Sequence, residues 1–192
     1  MGRTLVSVML TLICFVFLTG CNGDQELLAK LEQYEVQRYV NEVTEGDFHF
    51  RLVSEKDQYN EGEQVLLYGE ITYIGELDEI TIHHSSSAVF FHLTENVRNY
   101  DLSDAVRDIG MSTTLKRNEP FREIYHKNAA YFNENDKQFV SFINDFISRD
   151  DFPYGYYVVE GKTDFAVETD DQAESMEHVN IETTIDFKVM KN

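Results

Sequence analysis

The sequence predicts a mainly β protein, a sandwich of about seven strands with one inserted amphipathic helix. Short segments with apolar residues at alternating positions recur along the chain, and turn residues separate them. One segment, residues 135–148, has the periodicity of a helix with one apolar face. The chain also contains 14 Phe and 11 Tyr but only 2 Pro, a composition that suits pleated, half-buried surfaces. We therefore expect one sandwich domain over residues 46–192.

The first twenty residues have the layout of a secretory signal peptide. Arg3 precedes an apolar stretch that runs from Leu5 to Leu18. A helix that spans a membrane needs about 20 apolar residues, and this stretch is shorter. A single positive charge, a short apolar run and small residues at its end are typical of a signal that is removed. An uncleaved membrane helix is the alternative.

The end of the apolar stretch reads Leu18-Thr19-Gly20-Cys21. This motif resembles the lipobox of bacterial lipoproteins, in which a leucine and two small residues precede the modified cysteine. The resemblance implies cleavage between Gly20 and Cys21 and a diacylglyceryl group, with fatty acyl chains such as palmitate, on Cys21. Two acyl chains give stable membrane attachment. The expected location is therefore extracytoplasmic, lipid-anchored to the cell membrane.

Cysteine use constrains the mature chain. Removing residues 1–20 also removes Cys14 and leaves Cys21, which the lipid would occupy. We therefore expect no disulfide and no cysteine-based metal or redox site, even in an oxidising compartment.

The charge balance limits the partners. The chain has 16 Lys plus Arg against 35 Asp plus Glu, a formal net charge of −19. Such a surface repels nucleic acid and anionic lipid headgroups. It favours cations, basic protein partners, or solubility near a crowded surface.

Residues 21–45 are predicted to form a partly helical tether that begins at the lipidated Cys21. Leu27, Leu31 and Tyr34 fall on one face of a helix. No Pro or Gly lies between Asp24 and Glu45.

The first half of the domain is predicted to consist of strands. Apolar residues alternate over residues 48–52 and 64–74, with a turn around Gly62 between them. A third strand begins at residue 80 and a fourth covers residues 89–93, after the break at Ser85-Ser86-Ser87.

The second half contains the helix. A short helix around residues 104–109, a strand at 113–116 and another within 121–132 are expected first. The apolar face of the helix at residues 135–148 comprises Phe139, Phe142, Ile143, Phe146 and Ile147. Strands at 154–165 and 181–189 follow, with the acidic loop 168–177 between them.

Three framework motifs give a family resemblance. They are Leu52-Val53-Ser54-Glu55-Lys56 with Tyr59, Gly62-Glu63 and Val65; Ile71-Thr72-Tyr73-Ile74-Gly75; and Pro153-Tyr154-Gly155-Tyr156-Tyr157-Val158. These motifs resemble bacterial immunoglobulin-like domains, including the bacillar intracellular proteinase-inhibitor type and many lipoproteins of Gram-positive bacteria. The resemblance covers roughly residues 48–95 and 150–190, and it implies an immunoglobulin-like β-sandwich but no activity.

The histidines are the first candidates for chemistry. His83 and His84 are adjacent on a predicted strand, so their side chains should face opposite sides of the sheet. His92 lies on the following predicted strand and could face one of them across a hairpin, as in a zinc site. The alternative, which we favour, is that these histidines are surface residues or have hydrogen-bond partners. Catalytic spacings such as His-Glu-x-x-His or Gly-x-Ser-x-Gly do not occur.

Acidic and aromatic clusters complete the search. Ca²⁺ could bind loops that contain Asp150-Asp151, Asp170-Asp171, or Asp101 with Asp104 and Asp108, although solvated acidic loops are the simpler interpretation. Phe152, Tyr154, Tyr156 and Tyr157 could form a recognition surface or belong to the core.

The expected function is that of a binding or protein-interaction module held at the cell envelope by the lipid on Cys21. A lipid-anchored inhibitor of an extracytoplasmic enzyme, such as a protease, is the alternative. No catalytic residue, metal ligand or cofactor is predicted, so we do not expect an enzyme. An enzyme would require a concave site with converging titratable groups.

Overall fold

The structure is a computed structural model that describes residues 22–102, 109–127, 136–168 and 176–192. The chain divides into two units, Met1–Glu35 and Val36–Asn192. Gly20 and Cys21 lie outside the described residues. None of the helices in the described part of the chain is both long and apolar enough to cross a membrane.

The N-terminal unit contains helix α1, Asn22–Glu32. It lies in the segment for which the sequence predicts a partly helical tether. Asp24 is in its first turn and Lys30 in its last. This arrangement stabilises the helix, because the negative side chain lies near the positive end of the helix dipole and the positive side chain near its negative end.

The second unit holds eleven strands and one helix within the described ranges. They are β1 Val40–Glu45, β2 Phe48–Ser54, β3 Gln58–Asn60, β4 Leu67–Tyr73, β5 Glu79–Glu95, β6 Tyr100–Asp101, β7 Met111–Lys116, β8 Pro120–Ile124, α2 Lys137–Ser148, β9 Gly155–Glu168, β10 Met176–Val179 and β11 Glu182–Met190.

The strands form two sheets. The smaller sheet has the order β1-β2-β4-β8, and the larger has the order β3-β11-β9-β5-β6, with β10 paired to β9 and β7 paired to β5. All named pairs are antiparallel except β3 with β11. This architecture confirms the predicted mainly β sandwich with an inserted helix. The described strands outnumber the expected seven because several short strands extend the sheet edges.

The core lies between the two sheets. Phe48 of β2 meets Phe165 of β9 edge to face, with ring centroids 5.0 Å apart. Gly161 of β9 faces Leu52 of β2, and a Cβ atom at Gly161 would lie 2.7 Å from the Cδ1 atom of Leu52. That distance is too short for a carbon–carbon contact, so glycine is required there for the sheets to approach each other.

Helix α2 forms where the periodicity predicted it. Asp136 caps its N-terminus by accepting hydrogen bonds from the backbone N–H groups of Gln138 and Phe139. Phe139, Ile143 and Phe146 are buried. Because these residues recur every three or four positions, they form one face, and that face joins the core.

Two boundaries differ from the sequence-based expectation. Val40–Glu45 was predicted to end the tether, but it forms β1 and pairs with β2 over six residues. The sandwich therefore begins before residue 46. The alternation signal was missing because no residue of β1 is fully buried.

The predicted third and fourth strands are one strand. β5 is 17 residues long, and its pairing with β9 shifts register between His84 and Val89. The serines that suggested a break lie in this bulge. All but the last residue of the predicted helix at 104–109 and most of the acidic loop at 168–177 fall outside the described residues.

Candidate functional site

An open cleft of about 420 Å³ lies on the larger sheet. Strands β7, β5, β9 and β10 meet there. We call it the histidine cleft and define it by six of its lining residues: His83, Ser85, Ser112, Asp164, Ala166 and His178. Its volume falls within the range of about 300–1,000 Å³ that is usual for small-molecule sites.

Strand register places four of these residues in one row. Ser112 pairs with His83, His83 with Ala166, and Ala166 with His178. Directly paired residues point to the same face of a sheet. The row therefore presents a hydroxyl and two imidazoles to the cleft, and the small side chain of Ala166 leaves space between the two rings.

His83 has a different group at each ring nitrogen. Its Nδ1 atom lies 2.9 Å from the Ser112 hydroxyl oxygen, and its Nε2 atom lies 3.4 Å from a carboxylate oxygen of Glu168. Nε2 is buried and has no hydrogen-bond partner, so the 3.4 Å approach of Glu168 is a contact and not a hydrogen bond. One neutral tautomer of His83 carries the ring hydrogen on Nε2. In that tautomer Nδ1 accepts the hydrogen bond from Ser112.

His84 faces the opposite side of the sheet, as the sequence predicted. Its side of the strand is buried, and only 9% of the residue is exposed. Nδ1 donates to the backbone carbonyl of Ser85 at 2.8 Å, and Nε2 accepts from the Thr113 hydroxyl at 2.9 Å. Both ring nitrogens are therefore used within the fold.

The bulge in β5 borders the cleft and is held from the smaller sheet. The Glu123 carboxylate of β8 accepts hydrogen bonds from the Ser87 hydroxyl and from the backbone N–H of Ala88 at 3.0 Å. The Ser85 hydroxyl donates to the carbonyl of Ser87 at 3.1 Å. Bulges often redirect side chains beside functional sites, and this one sets the position of Ser85.

His92 does not join the other histidines. It lies on β5 itself, so it cannot face His83 across a hairpin, and its Nε2 atom lies 4.0 Å from Asp101. The expected hairpin was wrong because β5 continues through the serines. In the four described ranges, no three His, Cys, Asp or Glu side chains are grouped so that they could hold a metal ion.

The carboxylates proposed for Ca²⁺ fall into two groups. Asp104, Asp108, Asp170 and Asp171 lie outside the described residues. Asp151 accepts a hydrogen bond from the backbone N–H of Gly62 at 2.6 Å and pairs with Arg149 at 2.6 Å. The hydrogen bond from Arg149 lowers the pKa of Asp151 to about 2. This carboxylate therefore holds a turn in the fold.

The aromatic cluster near residue 154 belongs to the core. Phe152 is 2% exposed and Tyr157 is fully buried, and the Tyr157 hydroxyl donates to the carbonyl of Pro153 at 2.7 Å. Tyr154 and Tyr156 are also buried. The alternative of a recognition surface was therefore wrong, because Phe152 packs against Phe146 of helix α2 and Tyr157 stacks on Phe187 of β11.

Sequence reasoning identified His83 but missed Ser112, Glu168 and His178. These residues are separated by long stretches of chain, and only the pairing of β7, β9 and β10 with their neighbours brings them together. No local spacing of residues in the sequence predicts such a row. No model of a known protein family matches the chain, and the search of curated proteins finds no match either.

Proposed function

We propose that this chain is an extracytoplasmic lipoprotein, anchored through Cys21, whose β-sandwich is a binding module at the cell envelope. The observation that carries the proposal is the motif Leu18-Thr19-Gly20-Cys21 at the end of a short apolar segment. The cysteine directly precedes α1. The lipid would thus sit at the start of the mature chain.

The charge of the mature chain supports attachment through lipid. Loss of Arg3 with the signal leaves 15 Lys plus Arg against 35 Asp plus Glu. A protein with this balance is repelled by anionic headgroups. Each buried CH₂ of an acyl chain contributes about 0.8 kcal/mol, so two chains are sufficient to hold the protein at the membrane.

The histidine cleft supports the binding role. Its row of Ser112, His83 and His178 is polar and lies on the face of the sheet away from the core, so these side chains are free to contact a ligand. A basic or neutral protein at the envelope is the partner that the acidic surface favours.

The anchor can be tested with two matched cysteine variants. Cys21→Ala should take up no labelled palmitate and should keep its signal peptide. Cys14→Ala, whose cysteine lies inside the signal, should be labelled and processed like the wild type. Membrane retention of a processed Cys21→Ala protein would contradict the proposal.

The binding role can be tested by crosslinking in intact cells followed by capture of the tagged full-length protein. One abundant partner that is absent from the Cys21→Ala sample would support an interaction module at the membrane. If that partner is a protease whose activity the purified chain reduces, the inhibitor alternative is favoured. Repeated failure to capture any partner would contradict a protein-interaction module.

A further inference from the structure

A hydroxyl, an imidazole and a carboxylate lie next to one another at the edge of the histidine cleft. They belong to Ser112, His83 and Glu168. The Ser112 hydroxyl lies 2.9 Å from His83 Nδ1, and Glu168 lies 3.4 Å from His83 Nε2. We propose that this row is a nucleophilic site that hydrolyses small carboxylic esters. The proposal goes beyond the binding role, and it depends on neither the lipid anchor nor a protein partner.

The surroundings of His83 favour its use as a base. Nε2 is buried, and a carboxylate oxygen of Glu168 lies 3.4 Å from it. A hydrogen on Nε2 leaves the lone pair of Nδ1 directed at Ser112, which is the arrangement that a general base requires. The half-exposed Glu168 side chain makes no hydrogen bond to Nε2 in the structure. Catalytic hydrogen bonds are often long or poorly aligned before a substrate binds.

The cleft gives Ser112 access to a substrate. Ser112 is exposed and lies on the wall of a cavity of about 420 Å³. The adjacent Met111, which is 49% exposed, provides an apolar surface for a short acyl chain. His178 and Asp164 provide polar groups on the far side of Ala166. These features select a small, uncharged or cationic ester.

The reaction balances with water as the only co-reactant. The Ser112 oxygen attacks the ester carbonyl carbon while its proton passes to His83 Nδ1. The carbon–oxygen bond to the alcohol breaks, and the departing oxygen takes the proton from His83. Water then attacks the acyl-Ser112 carbon, with its proton passing through His83 to the serine oxygen. A carboxylic acid and an alcohol are released.

The smaller sheet carries a similar row that serves as an internal control. Thr44 lies 2.9 Å from His49 Nδ1, and His49 Nε2 lies 3.7 Å from Glu42. Cross-strand pairing alone therefore brings a hydroxyl to an imidazole. Thr44 does not line the histidine cleft. If the cleft is what makes such a row reactive, Ser112 should react and Thr44 should not.

The experiment uses the full-length protein in detergent micelles, a fluorophosphonate probe and p-nitrophenyl acetate. The probe should label Ser112, as read by peptide mapping, because the serine oxygen displaces fluoride from phosphorus. Ser112→Ala and His83→Gln should each lower ester hydrolysis by about 100-fold or more, the size of effect expected when a nucleophile or general base is lost. Thr44→Ala should retain the wild-type rate, with circular dichroism confirming that each variant folds.

Two results would overturn the inference: equal hydrolysis by Ser112→Ala and the wild type, or labelling that does not map to Ser112. Glu168→Gln tests the positioning residue, because it should slow labelling of Ser112 and lower kcat while leaving KM unchanged. Capture of the envelope partner is measured separately on the wild type, so failure of the esterase inference leaves the binding proposal standing, and the reverse also holds.

Discussion

The Asp151 carboxylate has a structural role, because both of its oxygens accept hydrogen bonds from other parts of the fold. Its two oxygens receive the guanidinium of Arg149 at 2.8 and 2.6 Å, and the backbone N–H of Gly62 at 2.6 Å. Gly62 has a φ of +90°, a conformation that favours glycine. The hydrogen bond from Arg149 lowers the pKa of Asp151 to about 2. The turn before β4 is thereby tied to the end of α2.

We expect Asp151 to make stability depend on pH in acid. A carboxylate with a lowered pKa stabilises the folded state above its unfolded pKa of about 3.9, and this contribution disappears as pH falls through the folded pKa. The difference in unfolding free energy between the wild type and Asp151→Asn should therefore shrink between about pH 4 and pH 2. Urea unfolding at several pH values measures it. A constant difference across that window would contradict the assignment.

The two solvent-facing histidines that contact hydroxyl groups differ in their settings. His83 and His49 each receive a hydroxyl at Nδ1 at 2.9 Å. The carboxylate lies closer to Nε2 in His83, at 3.4 Å against 3.7 Å in His49. The larger difference is the cleft, which gives a substrate access to Ser112. Reactivity thus depends on the surroundings of a side-chain pair as well as on the pair itself.

At the scale of elements, helix α2 is capped at its C-terminus by a lysine that precedes the helix in the chain. Lys127 donates through Nζ to the carbonyls of Phe146 at 2.8 Å and Arg149 at 3.0 Å, and also to that of Asp151. These carbonyls lie at or just beyond the end of the helix, where intrahelical partners are missing. Burial lowers the pKa of Lys127 to about 8, so the amine remains mainly protonated at pH 7.

Lys127→Met should loosen the end of the helix. Methionine keeps an apolar stem beside Phe146 and Phe152 but removes every donor, so we expect a loss of about 1–3 kcal/mol in unfolding free energy. Amide hydrogen exchange in the last turn of α2 should become faster. Lys137→Met, which changes an exposed lysine at the start of the helix, is the matched control and should leave that exchange unchanged.

At the scale of the whole molecule, one buried carboxylate holds the start of the sandwich. Asp186 of β11 accepts the backbone N–H groups of Gln37 at 2.8 Å and Arg38 at 2.7 Å, together with the hydroxyl of Tyr156. Its own backbone N–H donates to the carbonyl of Arg38 at 2.8 Å. The chain is therefore attached to the larger sheet just before β1 joins the smaller one.

Limited proteolysis should show where the domain begins. The wild type should yield a resistant core that starts near residue 36, where the second unit begins, and not near residue 46. Asp186→Ala should allow cleavage within 37–45, because it leaves buried donors without an acceptor. Glu160→Ala, at an exposed position of β9, should give the wild-type core. Identical cleavage of the Asp186→Ala protein would show that the carboxylate does not hold this segment.

Local pattern was sufficient for part of the fold. The strands β2, β4, β9 and β11 and the helix α2 were predictable because apolar residues in the sequence recur with the period of the element. Strands β1, β3, β6 and β10 were not, because they are short or lack a fully buried face. A short edge strand is defined by its neighbour, and the neighbour is not visible in the local sequence.

The sequence by itself determined the mainly β class, the inserted helix, the opposite orientations of His83 and His84, and the proposal of a lipid anchor at Cys21. Each depends on residues that are close together in the chain. Only the tertiary structure decided that β5 runs through the serines, that Tyr157 is buried, that Ser112 and His178 share a cleft with His83, and that Glu168 lies beside His83. These outcomes depend on which strands pair and in what register, and pairing joins residues whose separation along the chain carries no periodic signal.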